Sequence, residues 1–225
     1  MPVLSEKDKT QIKALFEQSL KDDVYIRYVT TDDPSCQFCS LGEELYGEVS
    51  SLNDKVKLEV VHLGTEEAES LGITREAPVT DIGTAEGSLG IRYFGLPSGY
   101  EFTAFLEDIV MVSKRESGLS DVSLKILEQV DSPMRILVFV TPTCPYCPRA
   151  VRVAHQMAMA KPGLIKGDMV EALEFPQWAD EYQVSAVPKN VVLSEEGLLL
   201  REFEGALPED AFVQACVMGP SSVGL

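Results

Sequence analysis

The hydrophobic pattern changes period twice within the first fifty positions. Ile12, Leu15, Phe16 and Leu20 recur at helical spacing within residues 6–20, behind Ser5 as a candidate N-cap. Residues 24–29, Val-Tyr-Ile-Arg-Tyr-Val, form an apolar run of strand length, and the loop Thr30-Thr-Asp-Asp-Pro-Ser35 follows. A second helix is predicted to begin within Cys36-Gln-Phe-Cys39 and to reach about residue 50. Val56, Leu58 and Val60 then alternate with polar neighbours in a strand ending near residue 63. A short helix over 66–71, a strand over 79–83, its hairpin partner over 89–94 and a closing helix over 100–111 complete the series.

The series then starts again. After a charged, Gly-bearing joint at 113–119, Ser120 is placed to cap a helix carrying Val122, Leu124, Leu127 and Val130. A strand over 136–140 leads into Cys144-Pro-Tyr-Cys147 and a helix over 148–160. A strand at 164–170, a helix at 177–182, paired strands at 190–193 and 198–203 and a final helix at 209–217 follow, with a tail, 219–225, that reads as frayed. The landmarks keep an almost constant offset: Cys36 to Cys144 is 108 residues, Pro78 to Pro188 is 110, and Gly95 to Gly205 is 110. A period this long means a duplicated domain, since solenoid repeats run to roughly 20–50 residues. The expected organisation is α/β, with two units at 1–116 and 117–225, each a four-stranded mixed sheet flanked by helices.

Composition narrows the partners. The chain has 225 residues, 45% of them hydrophobic and 24% charged, with a net charge of −17. That acidity argues against nucleic acid and anionic membrane surfaces, and otherwise reads as solubility. The N-terminus lacks a basic segment followed by an apolar one, and no apolar run approaches the roughly 18 residues needed to span a bilayer. The expected location is the cytoplasm, where a CxxC pair points to redox chemistry or a metal.

There are five cysteines, and random placement would give roughly 0.09 pairs three apart, against the two observed. A dithiol at the start of a helix suits thiol–disulfide exchange. The first sulfur meets unpaired backbone N–H groups and the positive end of the helix dipole, which favour its thiolate. The second lies one turn along and can attack the mixed disulfide. Cys36 and Cys144 are thus the candidate nucleophiles, and Cys39 and Cys147 the resolving thiols. A four-cysteine zinc site competes for the same residues. It is disfavoured by the 105 residues between Cys39 and Cys144 and by the complete β-α-β frame around each pair, so no metal is expected. Asp32 and Asp33 precede Cys36, whereas no acid adjoins Cys144, so Cys144 is expected to be the more reactive thiol and its site the dominant one.

At this point a resemblance becomes specific. Each unit looks like a thioredoxin fold, and the tandem arrangement resembles the protein disulfide oxidoreductases, glutaredoxin-like proteins of two joined units. Cys-Pro-Tyr-Cys at 144–147 is the dithiol glutaredoxin motif, and Cys-Gln-Phe-Cys at 36–39 is close to the first-site motif of that family. Tyr182-Gln-Val-Ser-Ala-Val-Pro188 is similar to the segment that ends in a cis-proline facing the active site, and Gly72-Ile-Thr-Arg-Glu-Ala-Pro78 is a looser copy. The resemblance implies reduction, oxidation or isomerisation of protein disulfides, with Val187 and Pro188, and Ala77 and Pro78, as substrate contacts. It also implies electrons from a thioredoxin-reductase-type flavoprotein, and a peroxiredoxin as a further partner. No bound cofactor is needed.

This chain departs from the pattern in three places. The buried acid that thioredoxins carry six residues before the first cysteine is replaced by Thr30 and Val138. The tryptophan before the motif is replaced by Pro34-Ser35 and Pro142-Thr143, and no glutathione-binding lysine or arginine precedes Cys144. Two other functions are carried beside the first. One is a dedicated electron relay, resembling the tandem-thioredoxin part of the bacterial alkyl hydroperoxide reductase flavoprotein, which keeps only its second cysteine pair. The other is a non-enzymatic module that binds client proteins.

The remaining candidates read more blandly. Tyr146 and Phe38 are expected to be exposed apolar contacts for substrate. His62 and His155 read as ordinary surface or packed residues, Glu59 as solvated, Trp178 and Tyr182 as filling the second core, and Cys216 as a small buried apolar residue.

Overall fold

A computed structural model describes residues 3–218. The first helix, α1 (Glu6–Ser19), starts where expected: the Ser5 hydroxyl accepts from the Asp8 N–H, and Ile12 and Phe16 are buried. It is followed by β1 (Val24–Thr30), α2 (Cys39–Ser50), β2 (Val56–His62), α3 (Glu66–Ser70), β3 (Val79–Thr84), β4 (Gly87–Phe94) and α4 (Glu101–Lys114). The second half repeats that order as α5 (Asp121–Leu127), β5 (Met134–Val140), α6 (Cys147–Ala160), β6 (Ile165–Glu171), α7 (Pro176–Glu181), β7 (Lys189–Ser194), β8 (Leu199–Glu204) and α8 (Glu209–Met218). The tail from residue 219 lies outside the described residues.

Each half builds four strands, one pair parallel and two antiparallel, in the orders β2-β1-β3-β4 and β6-β5-β7-β8. The halves do not remain separate sheets. β4 pairs in parallel with β6, from Ile91↔Gly167 to Phe94↔Val170, so one eight-stranded sheet crosses the molecule. At this join Gly167 lets α6 press close to the sheet, since a Cβ there would lie 2.6 Å from the Ala154 carbonyl oxygen. The two apolar clusters, one on each face, both draw residues from both halves.

The join also carries charge. Asp168 on β6 is fully buried and held bidentately by Arg92 of β4, at 2.7 and 2.8 Å, and by Arg135 of β5. Burial pushes its carboxyl up, but Arg135 and Arg92 outweigh that and hold it below the usual range. Arg135 also lies over the rings of Phe94 and Trp178, 5.0 and 5.1 Å from their centroids.

Several sequence expectations change here. On β2, an edge strand, Val60 is 39% exposed and its neighbour Val61 is buried. On α5, Val122 (60% exposed) and Leu124 face outward, while Ser123 and Leu127 are buried. Ser123 turns inward because its hydroxyl and the Ser120 cap both donate to Glu209 of α8. The joint begins later than residue 113. Ser113 is a buried residue of α4 whose hydroxyl accepts from the N–H groups of Lys21 and Asp22. Trp178 and Tyr182 pack on the one apolar cluster that spans the join, not on a core of the second half alone: Trp178 meets Phe94 of the first half at 5.0 Å, and Tyr182 meets Phe139 at 5.7 Å.

His155 is more than a packed residue. It is fully buried on α6, its Nδ1 2.5 Å from Asp108 of α4, and Asp108 also accepts from the Tyr93 hydroxyl at 2.5 Å. His62 is a surface residue 4.0 Å from Asp32. Glu59 is half-exposed and ion-paired with Arg27 at 2.9 Å. Cys216 is buried, and burial pushes its thiol well up, consistent with an inert apolar role. Among the described residues no helix is long and apolar enough to cross a membrane.

Candidate active sites

Both cysteine pairs sit where a strand ends and a helix begins. β1 and β5 end as apolar central strands, a short turn follows, and the second cysteine of each pair is the first residue of α2 or α6. Phe38 and Tyr146 occupy the N-cap positions with no side-chain cap, leaving the helix N–H groups open toward the sulfurs. Both pairs are closed as disulfides, Cys36–Cys39 and Cys144–Cys147, with Cα atoms 5.6 and 5.5 Å apart. No group of three or more His, Cys, Asp or Glu side chains is placed to hold a metal ion among the described residues.

At the second pair, Cys144 is nearly buried and Cys147 fully so. The Cys147 N–H donates to the Cys144 sulfur at 3.1 Å, the contact that would stabilise a thiolate there. The same sulfur lies 3.9 Å from the Val187 carbonyl oxygen. The Val187–Pro188 bond is cis; Pro188 is buried and Val187 half-buried. The first unit touches this site through its loop after β4, where Gly99 lies against Pro142 and the Tyr100 N–H donates to the Pro142 carbonyl at 3.2 Å.

At the first pair, Cys36 is half-buried and Cys39 buried, and the Ala77–Pro78 bond is cis. Cys36, Ala77 and Pro78 line one cleft of about 250 Å³ with Ser35, Gln37 and Phe38, and with Leu173, Glu174 and Pro176 from the other unit. Behind the pair, the Tyr28 hydroxyl donates to the Cys39 carbonyl at 2.8 Å, and only a glycine at position 42 leaves room for that ring. Asp33 is turned onto the Ser35 N–H, which holds its carboxyl below the usual range. Tyr146 and Phe38 are 71% and 38% exposed beside their sulfurs.

Sequence reasoning missed two buried acids, one of which lines the first site. Glu101, the first residue of α4, is almost fully buried with both carboxylate oxygens unpartnered among the described residues, and burial, aided by Asp108, pushes it up to about 8. Glu174 is pushed up to about 7, again by burial first and by Glu171 in addition. Neither occupies the positions of Thr30 and Val138. Glu174 reaches the Cys36 cleft from the segment between β6 and α7 of the other unit, so no spacing rule along the chain could find it.

Comparison with known proteins agrees with this architecture. Residues 134–217 match the thioredoxin domain family. The thioredoxin of Methanocaldococcus jannaschii is 36% identical over 84 residues, which covers 37% of this chain and 93% of that protein. The alkyl hydroperoxide reductase protein AhpF of Pseudomonas aeruginosa is 23% identical over 180 residues, 80% of this chain but 32% of the relative, so the chain spans about a third of that protein. Among solved structures, a protein disulfide oxidoreductase from Aeropyrum pernix superposes with a TM-score of 0.82 at 25% identity, covering 97% of this chain and 96% of that one. A structure of AhpF from Enterococcus faecalis superposes at 0.81 and 23% identity, covering 95% and 99%.

Proposed function

We propose that the chain, which belongs to the thioredoxin family, is a protein disulfide oxidoreductase with two working cysteine pairs, one in each of the units 1–116 and 117–225. The observation that carries this reading is the closure of both pairs as disulfides at helix N-termini, each set against an X–Pro segment. In the reducing direction, the Cys144 or Cys36 thiolate attacks a substrate disulfide and one substrate sulfur leaves with a proton. Cys147 or Cys39 then attacks the mixed disulfide, closing the protein disulfide and releasing the second sulfur. The reverse sequence oxidises a dithiol.

Substrates in this reading are protein disulfides and dithiols. Tyr146 and Phe38 supply exposed apolar contacts beside the sulfurs, and the Val187 carbonyl is positioned to pair with an extended substrate backbone. The electron donor is a thioredoxin-reductase-type flavoprotein. A second reading, a dedicated relay toward a peroxiredoxin, is favoured by the similarity to AhpF over most of this chain.

Insulin reduction separates the two. Wild type is expected to reduce insulin with dithiothreitol as electron source, Cys144→Ser to lose most of the turnover, and Cys36→Ser with Cys144→Ser to lose all of it. No turnover in wild type would exclude the oxidoreductase reading in favour of client binding. Turnover confined to a peroxiredoxin partner would select the relay.

A further inference from the structure

The cleft at Cys36 is shared between the units. Glu174, on the segment between β6 and α7, lines it together with Cys36, Ala77 and Pro78 of the first unit. Two features of the first unit admit this carboxyl. At Gly95 a Cβ would lie 2.8 Å from the Glu171 Cβ and 3.0 Å from the Glu174 Cδ, so a side chain there would displace both acids. The next residue, Leu96, donates its N–H to Glu174 Oε1 at 2.9 Å. Oε2 is buried and has no hydrogen-bond partner among the described residues. Gly205, which repeats Gly95 in the second unit with the same φ of +91°, has nothing within 4 Å of a built Cβ. The arrangement at Gly95 therefore has no copy at the corresponding turn of the second unit.

We propose that Glu174 is the proton acceptor and donor of the first cysteine pair, so that the second unit completes the first unit's active site. The proposal rests on the exchange activity argued above. In the reducing direction, the Cys36 thiol gives its proton to the Glu174 carboxylate, and the resulting thiolate attacks a substrate sulfur. The substrate S–S bond breaks, and the departing thiolate takes the proton back from Glu174. Cys39 then gives its proton to the Glu174 carboxylate and attacks the Cys36 sulfur, the bond from that sulfur to the substrate breaks, and the second substrate thiolate leaves and takes the proton from Glu174. Two electrons and two protons pass from the dithiol to the substrate disulfide.

The environment suits that task. A carboxyl raised to about 7 is populated in both forms at neutral pH, which is where an acid–base group works best. The groups that face it are Glu171 on its own segment, whose Oε2 accepts from the Glu174 N–H at 2.6 Å, Tyr28 on β1 and Tyr46 on α2. Arg75 and Glu76 line the adjoining cleft. The two tyrosines are pushed well up by burial and stay neutral near pH 7.

The test uses the full chain with Cys144→Ser and Cys147→Ser, so that only the first pair reacts, with and without Glu174→Gln. Glutamine keeps an oxygen for the Leu96 N–H, and thermal melting checks that the fold is retained. Glu174→Gln is expected to slow insulin reduction by about 100-fold at pH 7. It is also expected to remove a shoulder near pH 7 from the rate of Cys36 alkylation by iodoacetamide, and Glu174→Asp to restore part of that shoulder. An unchanged shoulder and a rate within about twofold of the parent would overturn the assignment. If the first pair reduces no disulfide in the parent, the exchange activity fails for that pair, and the alkylation profile still decides: loss of the shoulder in Glu174→Gln upholds the proton coupling and its persistence overturns it.

Discussion

At the scale of single residues, the two nucleophile candidates sit in different electrostatic surroundings. The Cys144 sulfur already accepts an N–H from the first turn of α6, whereas Cys36 shares its cleft with Glu174 and follows Asp33, a carboxyl held ionised by the Ser35 N–H. In reduced single-pair variants at pH 7, Cys144 is therefore expected to alkylate faster than Cys36. Faster labelling of Cys36 would show that the acids do not govern its thiol. Glu101 gives a stability prediction. Its folded value of about 8 lies above the ordinary 4.5, so as pH rises between those values the unfolded chain loses the proton first and stability falls. Glu101→Gln, which cannot ionise, should melt above wild type at pH 8–9, by the equivalent of roughly 3–5 kcal/mol, with the difference shrinking toward pH 5. Equal melting temperatures at pH 9 would mean that Glu101 ionises freely in the folded protein.

At the scale of elements, helix and strand identities follow from local pattern, but the packed faces follow from neighbours. α5 shows this clearly: two of its apolar residues, Val122 and Leu124, face outward while Leu127 is buried, because Ser120 and Ser123 bind Glu209 of α8 and orient the helix. The turns after β4 and β8 show the same dependence. Gly95 and Gly205 have the same backbone angle, yet only Gly95 is pressed by another segment. Gly205→Ala should cost about 1 kcal/mol, the penalty of the left-handed conformation alone. Gly95→Ala should cost about 2–4 kcal/mol, because the displacement of Glu171 and Glu174 is added to it. Urea titration of both variants checks this, and equal losses would show that the inter-unit contact carries no energy.

At the scale of the whole molecule, the repeat is continuous in structure as well as in sequence. The β4–β6 pairing, the shared apolar clusters and the ion triad of Asp168 with Arg92 and Arg135 tie both halves into one sheet. Trp178, the single tryptophan, packs on Phe94 across the join and reports on it directly. Fluorescence and far-UV circular dichroism are expected to give one coincident denaturation curve, since neither half can open without exposing the join. Arg92→Leu should lower stability by about 3–5 kcal/mol, because Asp168 would keep its burial and lose its bidentate partner. Two separate transitions in wild type would refute this coupling. The buried aromatic series Tyr28, Tyr46, Phe105, Tyr93 and His155, at centroid spacings of 4.9 to 5.7 Å, runs between the helices that carry the two cysteine pairs.

The amino-acid order by itself determined the duplicated βαβαββα series, the two cysteine pairs at strand-to-helix junctions, the capping serines and the X–Pro segments, because each depends on local periodicity, spacing or side-chain chemistry. It could not determine that the two four-stranded sheets fuse, that His155 is buried against Asp108, or that Glu174 reaches the cleft of Cys36. Those outcomes depend on which strand edge meets which. β4 and β6 are 71 residues apart between Phe94 and Ile165, and only their pairing carries the Glu171–Glu174 segment to Gly95. The acids missing ahead of each cysteine pair could be noted from sequence; the carboxyl that stands near the first one is a product of the tertiary fold.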